Sequence, residues 1–293
     1  MKALLSVLAA AALVSLEAGA QSSDVRVPGS PWLSNIEMPR ATALGGAHSA
    51  VASGNDALLS NPAGLAQARA YHFELDGVLD GAFPAQGLIA SIADSTNGPV
   101  ATGLIYAHWG SGRDDGRAQG WMAGLGYAYA AGSFLFGGLS KYTRFRIPVS
   151  DPTADGTAYM FLQDFGILSR RGDFGFALVV QNITTSSNLL FPLTATAGLS
   201  LGSDQSSHLA LDYKVDLHDL DHPQHKLAAG YEFVLDAFAL RAGGTYDASN
   251  SLWWVSAGLG ILTEKGKFQV AYRRRLSGGL DQFFEAGFTL YLE

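Results

Sequence analysis

Two short stretches carry residue types that could do chemistry, and the first is a serine flanked by glycines. Residues 198–202, GLSLG, match the G-x-S-x-G pattern in which a serine acts as a nucleophile. That role requires a sharp strand–turn–helix bend beneath the serine. The stretch lies inside or at the end of an apolar strand pattern, no helix follows it, and no histidine and acid are placed to serve Ser200. We therefore predict no catalytic residue and interpret the protein as a non-enzyme.

The second stretch is the loop 216–225, DLHDLDHPQH, which holds three histidines and three aspartates. Imidazoles and carboxylates at close spacing can bind a divalent metal. The spacing here matches no defined zinc pattern, and both residue types are common in solvated loops. We interpret the stretch as a solvated loop and predict neither a metal site nor a cofactor.

The N-terminus predicts export from the cytoplasm. Lys2 is followed by an apolar run at 3–16 and by a small-residue ending at Ala20, the pattern of a secretory signal peptide, 1–20. The run is shorter than the roughly 20 residues that a helix needs to cross a bilayer, although a transmembrane anchor is the alternative. Residues 21–40 are polar and contain proline, so we expect an irregular periplasmic segment there.

Composition narrows the fold class. The chain is 48% hydrophobic and only 15% charged, whereas a typical soluble domain is about 25% charged. It has no cysteine, which excludes a disulfide framework, and no later stretch reaches the length of a transmembrane helix. The net charge of -7 argues against a nucleic-acid partner. These properties together favour a membrane β-barrel.

From residue 70 onward, hydrophobicity alternates with a period of two. In 226–235, Leu227 and Tyr231 share one face while Lys226 and Glu232 share the other. The apolar face would be the core of a soluble sandwich, but in an outer-membrane barrel it faces lipid. The pattern predicts fourteen strands, at 70–79, 86–93, 100–109, 120–130, 133–145, 157–169, 174–182, 193–201, 208–215, 226–235, 238–247, 252–262, 266–276 and 282–292.

The connections between these strands sort by parity. Those after even-numbered strands are short, such as 131–132 and 236–237, whereas most after odd-numbered strands are longer and polar, such as 110–119 and 183–192. Short turns on one side and long loops on the other are typical of outer-membrane barrels. We therefore predict an all-β protein: a monomeric transmembrane antiparallel β-barrel of about 14 strands at 70–293, in the bacterial outer membrane.

The segment 41–69 differs from the strands that follow it. Its glycines disfavour a long helix and Pro62 ends one, so we expect a short helical turn at 55–60 and a tight turn at 61–64. Residues 45–66, GGAHSAVASGNDALLSNPAGLA, closely resemble the N-terminal signature of the FadL-like outer-membrane barrels, most of all their PorV/PorQ branch. The resemblance implies a plug in the barrel mouth or lumen, with a plug motif formed by Asn61, Pro62, Ala63 and Gly64.

The resemblance extends along the body of the chain, in 163–183, 209–216 and 226–247. The PorV/PorQ branch implies our main interpretation, a membrane platform for protein export or surface attachment, with secretion-pathway proteins as partners. The FadL branch implies the alternative, a transporter of hydrophobic small molecules such as long-chain fatty acids or hydrocarbons. Small residues on one face of strand 120–130 could leave lumen space for such a molecule: Gly124, Gly126, Ala128 and Ala130.

Charged residues within the strands are expected to face the lumen, because a charge on the lipid face costs about 2–4 kcal/mol at the bilayer midplane. There they would anchor the plug, line a polar passage or neutralise one another. Arg274 is predicted to face outward at the extracellular rim, either to contact lipopolysaccharide phosphates or as a solvated strand end. Outer-membrane lipid and the barrel-assembly machinery are further expected partners. The predicted lumen-facing charges are Asp164, Asp212, Lys214, Glu232, Arg241, Arg273 and Glu285.

Overall fold

The computed structural model describes residues 36–80, 85–111, 118–146, 156–184, 191–203, 205–276 and 281–292. The predicted signal peptide and residues 21–35 of the predicted periplasmic segment lie outside these ranges. Within them, no helix is both long and apolar enough to cross a bilayer.

Fourteen antiparallel strands close into one barrel, which confirms the predicted fold class. Each strand pairs with its sequence neighbours, and β1 also pairs with β14, so that Asp76 lies opposite Gly287. Closure satisfies the backbone hydrogen bonds that lipid cannot. Every predicted strand end lies within two residues of the observed one. The strands are β1 Tyr71–Asp80, β2 Ala85–Asp94, β3 Val100–Ser111, β4 Ala118–Ala131, β5 Phe134–Arg146, β6 Thr157–Arg171, β7 Phe174–Gln181, β8 Thr194–Ser203, β9 Ser207–Asp216, β10 Gln224–Leu235, β11 Phe238–Asp247, β12 Leu252–Thr263, β13 Gly266–Arg275 and β14 Gln282–Leu292.

The outer face of the barrel is apolar and aromatic. On β14, Phe284, Phe288 and Leu290 are exposed, while Phe283, Glu285 and Thr289, at alternate positions, are buried. The same alternation runs through the other strands, so the exposed apolar side chains form a belt that faces lipid and the buried ones face the lumen.

Turns at one end of the barrel are tight. β4 and β5 are joined by Gly132 and Ser133, and β6 and β7 by Gly172 and Asp173. Both glycines have positive φ, as two-residue hairpin turns require. We call this the turn end, and the opposite end, where β5 ends at Arg146 and β6 begins at Thr157, the loop end.

Residues 36–69, which we call the plug, fill the turn-end half of the lumen. Two short α-helices, α1 at Pro39–Ala43 and α2 at Ala57–Ser60, and two 3₁₀ helices at Gly54–Asp56 and Pro62–Ala66 are joined by tight turns. Ala43, Leu44 and Val51 are fully buried. The plug thus begins before residue 41, because α1 and Arg40 pack inside the barrel rather than belonging to an irregular periplasmic segment.

The plug fits against glycines on the inner face of the wall. A Cβ atom at any of them would meet plug atoms at or below van der Waals distance, so the absence of a side chain lets the plug backbone approach the strands. The space beside Gly126 is filled by Leu58 and Leu65, so the small residues of β4 receive the plug and do not leave lumen space open. The glycines are Gly103, Gly126, Gly137, Gly166, Gly175, Gly198, Gly230, Gly243, Gly258 and Gly287.

Candidate functional site

A buried ion triad holds the start of the plug to β10 and β11. Arg40 donates from Nε to Glu232 Oε2 at 3.1 Å and from Nη2 to Oε1 at 2.9 Å. Arg241 donates from Nε to the same carboxylate, opposite it in the register. All three side chains are buried. Two guanidinium groups on one carboxylate make this a strong, charge-assisted attachment of the plug.

Asp212 on β9 receives the next turn of the plug. Its Oδ2 accepts the backbone N–H groups of His48 at 3.1 Å and Ser49 at 3.0 Å, and its Oδ1 accepts the Ser49 hydroxyl at 2.8 Å. His48 Nδ1 lies 2.9 Å from the Ser60 hydroxyl. Burial lowers the pKa of His48 from 6.5 to about 3, so its imidazole is neutral at neutral pH and adds no charge to this contact.

Two further ion pairs join the plug to β13. Arg273 Nη1 lies 3.3 Å from Glu37 Oε2, and Lys267 Nζ lies 3.1 Å from Asp56 Oδ2. Glu285 on β14 is buried nearby and lines the lumen cavity described below. Ion pairs to β10 and β13, together with the hydrogen bonds that Asp212 on β9 accepts, therefore fix the plug within the barrel.

The motif 61–64 connects two parts of the plug with the wall. Asn61 Oδ1 accepts the backbone N–H of Ala63 at 3.1 Å, while Nδ2 donates to the carbonyl of Ser49 at 3.0 Å and to that of Ile167 on β6 at 3.3 Å. Pro62 opens the following 3₁₀ helix. At Gly64 a Cβ would collide with the backbone of Ala52. These four residues thus form a packed turn against the strand wall.

Asp164 has a different role from the plug contacts. Its Oδ2 accepts from Lys141 Nζ at 2.7 Å, and its Oδ1 accepts from the backbone of Asn182 at 2.8 Å. Lys141 also donates to Asn182 Oδ1 at 2.8 Å. The pair therefore holds the start of the connection from β7 to β8, which carries Phe191 into the lumen.

Above the plug lies a cavity of about 370 Å³. Plug residues such as Met38 form its floor, and residues at the loop end of the barrel, such as Gln224 on β10 and Asn250 between β11 and β12, line its opposite side. On the β2–β4 side its lining is apolar and aromatic. Trp109 and Phe191 lie 6.2 Å apart, centroid to centroid, and Phe145 lies 6.0 Å from Phe191. The apolar lining on this side includes Ile89, Ala107, Trp109, Met122 and Phe191, and Trp254 on β12 and Phe283 on β14 line the cavity as well.

Two lysines line the side of the cavity opposite this apolar wall. Lys214 on β9 and Lys226 on β10 are directly paired across the two strands, and both line the cavity. β10 lies seven strands from β3 around the ring of fourteen. Within the described residues, neither lysine forms an ion pair. The cavity therefore has an apolar side and a side with two lysines, where Asp247 on β11 lies opposite Lys226 and also lines the cavity.

The remaining predicted sites lie outside this arrangement. Arg274 is exposed on the outer face near the loop end of β13. Ser200 faces the plug and donates to the carbonyl of Ala50 at 3.4 Å. In the loop 216–225, two histidines pair locally with aspartates, Asp216 with His218 at 2.9 Å and Asp219 with His222 at 3.2 Å. The third, His225, lies 2.7 Å from the Tyr213 hydroxyl through Nδ1.

Sequence reasoning missed several of the residues that matter here. Lys141, Lys226 and Lys267 follow the same alternation as the predicted lumen charges, and that signal could have found them. Glu74 and Asp76 on β1 also occupy alternating positions and are fully buried. The plug partners Glu37, Arg40 and Asp56 had no such signal, because they lie outside any periodic segment.

The sequence matches no protein-family model. No curated protein matches it either. Solved structures do match: the toluene transporter TodX of P. putida, with a TM-score of 0.66 and 13% identity over 86% of this chain and 98% of that one, and the toluene transporter TbuX of Ralstonia pickettii, with a TM-score of 0.66 and 13% identity over 87% and 98%. A FadL homologue of Pseudomonas aeruginosa matches with a TM-score of 0.65 and 11% identity over 87% and 98%. At this identity the likeness concerns the fold alone: the chain has the fold of the FadL-like outer-membrane barrels.

Proposed function

We propose that the protein is an outer-membrane transporter that accepts a hydrophobic small molecule from the loop end of the barrel. The observation that carries the proposal is the cavity above the plug, with Trp109, Met122 and Phe191 on its apolar side. Apolar cavities with a few polar groups are typical of small-molecule sites. The fold adds support, since similar barrels carry the names of toluene transporters.

The charge in the cavity narrows the class of ligand. Lys214 and Lys226 lie side by side opposite the apolar wall, and neither forms an ion pair with a described residue, although Asp247 lies opposite Lys226 in the register. Hydrogen bonds between a charged donor and a carboxylate are stronger than those between neutral groups. A lipophile with an anionic head, such as a long-chain fatty acid, satisfies both sides of the cavity, whereas a plain hydrocarbon leaves the lysines unmatched.

Binding to the purified protein in lipid nanodiscs tests this proposal. We expect a radiolabelled long-chain fatty acid to bind saturably, and Lys214→Gln with Lys226→Gln to weaken its affinity by about tenfold or more, because charge-assisted hydrogen bonds contribute about 1.5–3 kcal/mol. Lys265→Gln, an exposed lysine in the β12–β13 turn, is the matched control and should bind like the wild type. Toluene bound equally well by the double variant, with no fatty-acid binding, would contradict the anionic head. Binding of neither ligand would contradict the transporter.

The platform for protein export is the second candidate, and it rests on the motifs in 163–247 that resemble the PorV/PorQ branch. The structural comparisons support the transporter better than this platform. Loss of a defined set of exported proteins from cells lacking the gene, with unchanged lipophile uptake, would favour the platform over the transporter.

A further inference from the structure

A group of buried side-chain oxygen atoms lies where the first and last strands of the barrel, β1 and β14, meet. Glu74 and Asp76 on β1 both face inward and are 0% exposed. Among the described residues, neither carboxylate makes a well-formed hydrogen bond, although Glu74 lies close to Asp76 and Thr289. The nearest cation to Glu74 is Lys267 Nζ, at 3.7 Å from Oε2. Burying an ionised carboxylate without partners is strongly unfavourable, so these two groups either hold protons or bind a cation.

The strand register adds two neutral oxygen donors to this pair. Thr289 on β14 lies directly opposite Glu74, and Gly287 lies opposite Asp76. On the far side of Gly287, β13 presents Gln269. Because Gly287 has no side chain, nothing on β14 separates Gln269 from Asp76. Gln269 is 1% exposed and Thr289 is 0% exposed, and neither side chain has a hydrogen-bond partner among the described residues.

The surrounding charges do not balance the acids. Lys267 is shared between Glu74 and Asp56, and Arg273 is paired with Glu37. Glu285, two residues before Gly287 on β14, is also buried. Lys267 and Arg273 thus face a larger number of acids on this side of the lumen, while the nearby Arg40 is paired with Glu232; the acids are Glu37, Asp56, Glu74, Asp76 and Glu285.

We propose that Glu74, Asp76, Gln269 and Thr289 bind a hard divalent cation of the calcium class. Ca²⁺ takes roughly six to eight oxygen ligands from carboxylates, amide carbonyls and similar donors, and the four side chains are of this kind. No three His, Cys, Asp or Glu side chains converge in the described ranges, so the amide and hydroxyl oxygens complete the set. The ion joins β1 to β13 across β14 and lies beside α1, since Pro39 packs over Gly287. It therefore stabilises both barrel closure and plug attachment.

Metal content of the folded full-length protein tests the site directly. The protein is refolded with CaCl₂, dialysed against metal-free buffer and analysed by elemental mass spectrometry. We expect about one Ca²⁺ per chain, and at least about tenfold less bound metal in Glu74→Gln with Asp76→Asn, as expected when ligands of such a site are lost. Asp164→Asn, a buried carboxylate on β6 with its own lysine partner, is the matched control and should keep the metal.

A second measurement keeps the test decisive if the double variant folds poorly. The folded fraction of the wild type, measured as the fast-migrating band on an unheated denaturing gel, should be higher after refolding with CaCl₂ than with EDTA. Gln269→Leu should reduce this difference. A wild type that carries no Ca²⁺ and refolds equally well in EDTA would overturn the proposal. It would indicate that Glu74 and Asp76 are protonated instead.

Discussion

At the scale of single residues, the inward-facing charges divide into three roles. Glu232, Asp212 and Arg273 hold the plug, and Asp164 holds the start of the connection that carries Phe191. Lys214, together with Lys226, faces the cavity and forms no ion pair with a described residue. In the first two roles the charged groups have close, well-oriented partners, because a buried charge is tolerated only with such a partner.

The triad around Glu232 gives a prediction at this scale. Glu232→Gln leaves Arg40 and Arg241 buried without a carboxylate, so we expect the free energy of unfolding to fall by about 3–5 kcal/mol. Urea unfolding of the detergent-solubilised barrel, followed by tryptophan fluorescence, measures the change. Asp221→Asn, an acid-to-amide change in an exposed loop, should leave the stability within about 0.5 kcal/mol of the wild type. Equal stability of the two variants would show that the triad does not hold the plug.

At the scale of elements, the plug and the strands fit each other through the missing side chains of inner-face glycines. Leu44 lies against Gly230 and Gly243, and Leu58 lies against Gly103 and Gly126. These glycine contacts involve ten strands, so the plug packs against most of the barrel wall rather than at one point. The turn-end half of the lumen is consequently filled.

A side chain added at one of these glycines should displace the plug without opening the barrel wall. In Gly126→Val the new methyl groups overlap Leu58 and Leu65, and overpacking of this kind costs about 1–3 kcal/mol. We expect Gly126→Val to conduct ions in a planar bilayer more often than the wild type. Gly77→Val, which meets no atom within 4 Å, is the matched control. Wild-type conductance in Gly126→Val would contradict a close fit between plug and wall.

The strands were predictable from sequence, while the plug contacts were not. Alternation in segments such as β10 follows from the two-residue period of a strand with one lipid face and one lumen face, and it also places Glu232 and Arg241 inward. Which plug residue meets each charge depends on contacts between residues far apart in the chain, such as Arg40 with Glu232. The glycines that recur at inward-facing positions could have indicated where the plug contacts the wall. The alternation of charge and hydrophobicity alone does not show this.

At the scale of the whole molecule, three layers are stacked along the barrel axis. The plug fills the turn end, the cavity with its apolar and cationic sides lies above it, and the connections of the loop end come last. The sequence motifs favoured a secretion platform, but the comparisons and the cavity support transport of a hydrophobic molecule. The cavity could not be foreseen, because it forms only when β2–β4 and β9–β10 close into one ring.

Uptake by whole cells tests this account most directly. Cells lacking the gene are compared with cells restored with the wild type or with Lys214→Gln and Lys226→Gln, by the initial rate of uptake of a radiolabelled long-chain fatty acid. We expect the wild type to restore uptake and the double variant to restore it poorly, while uptake of a small hydrophilic solute stays equal in all strains. Equal fatty-acid uptake with and without the gene would contradict the proposed transport function.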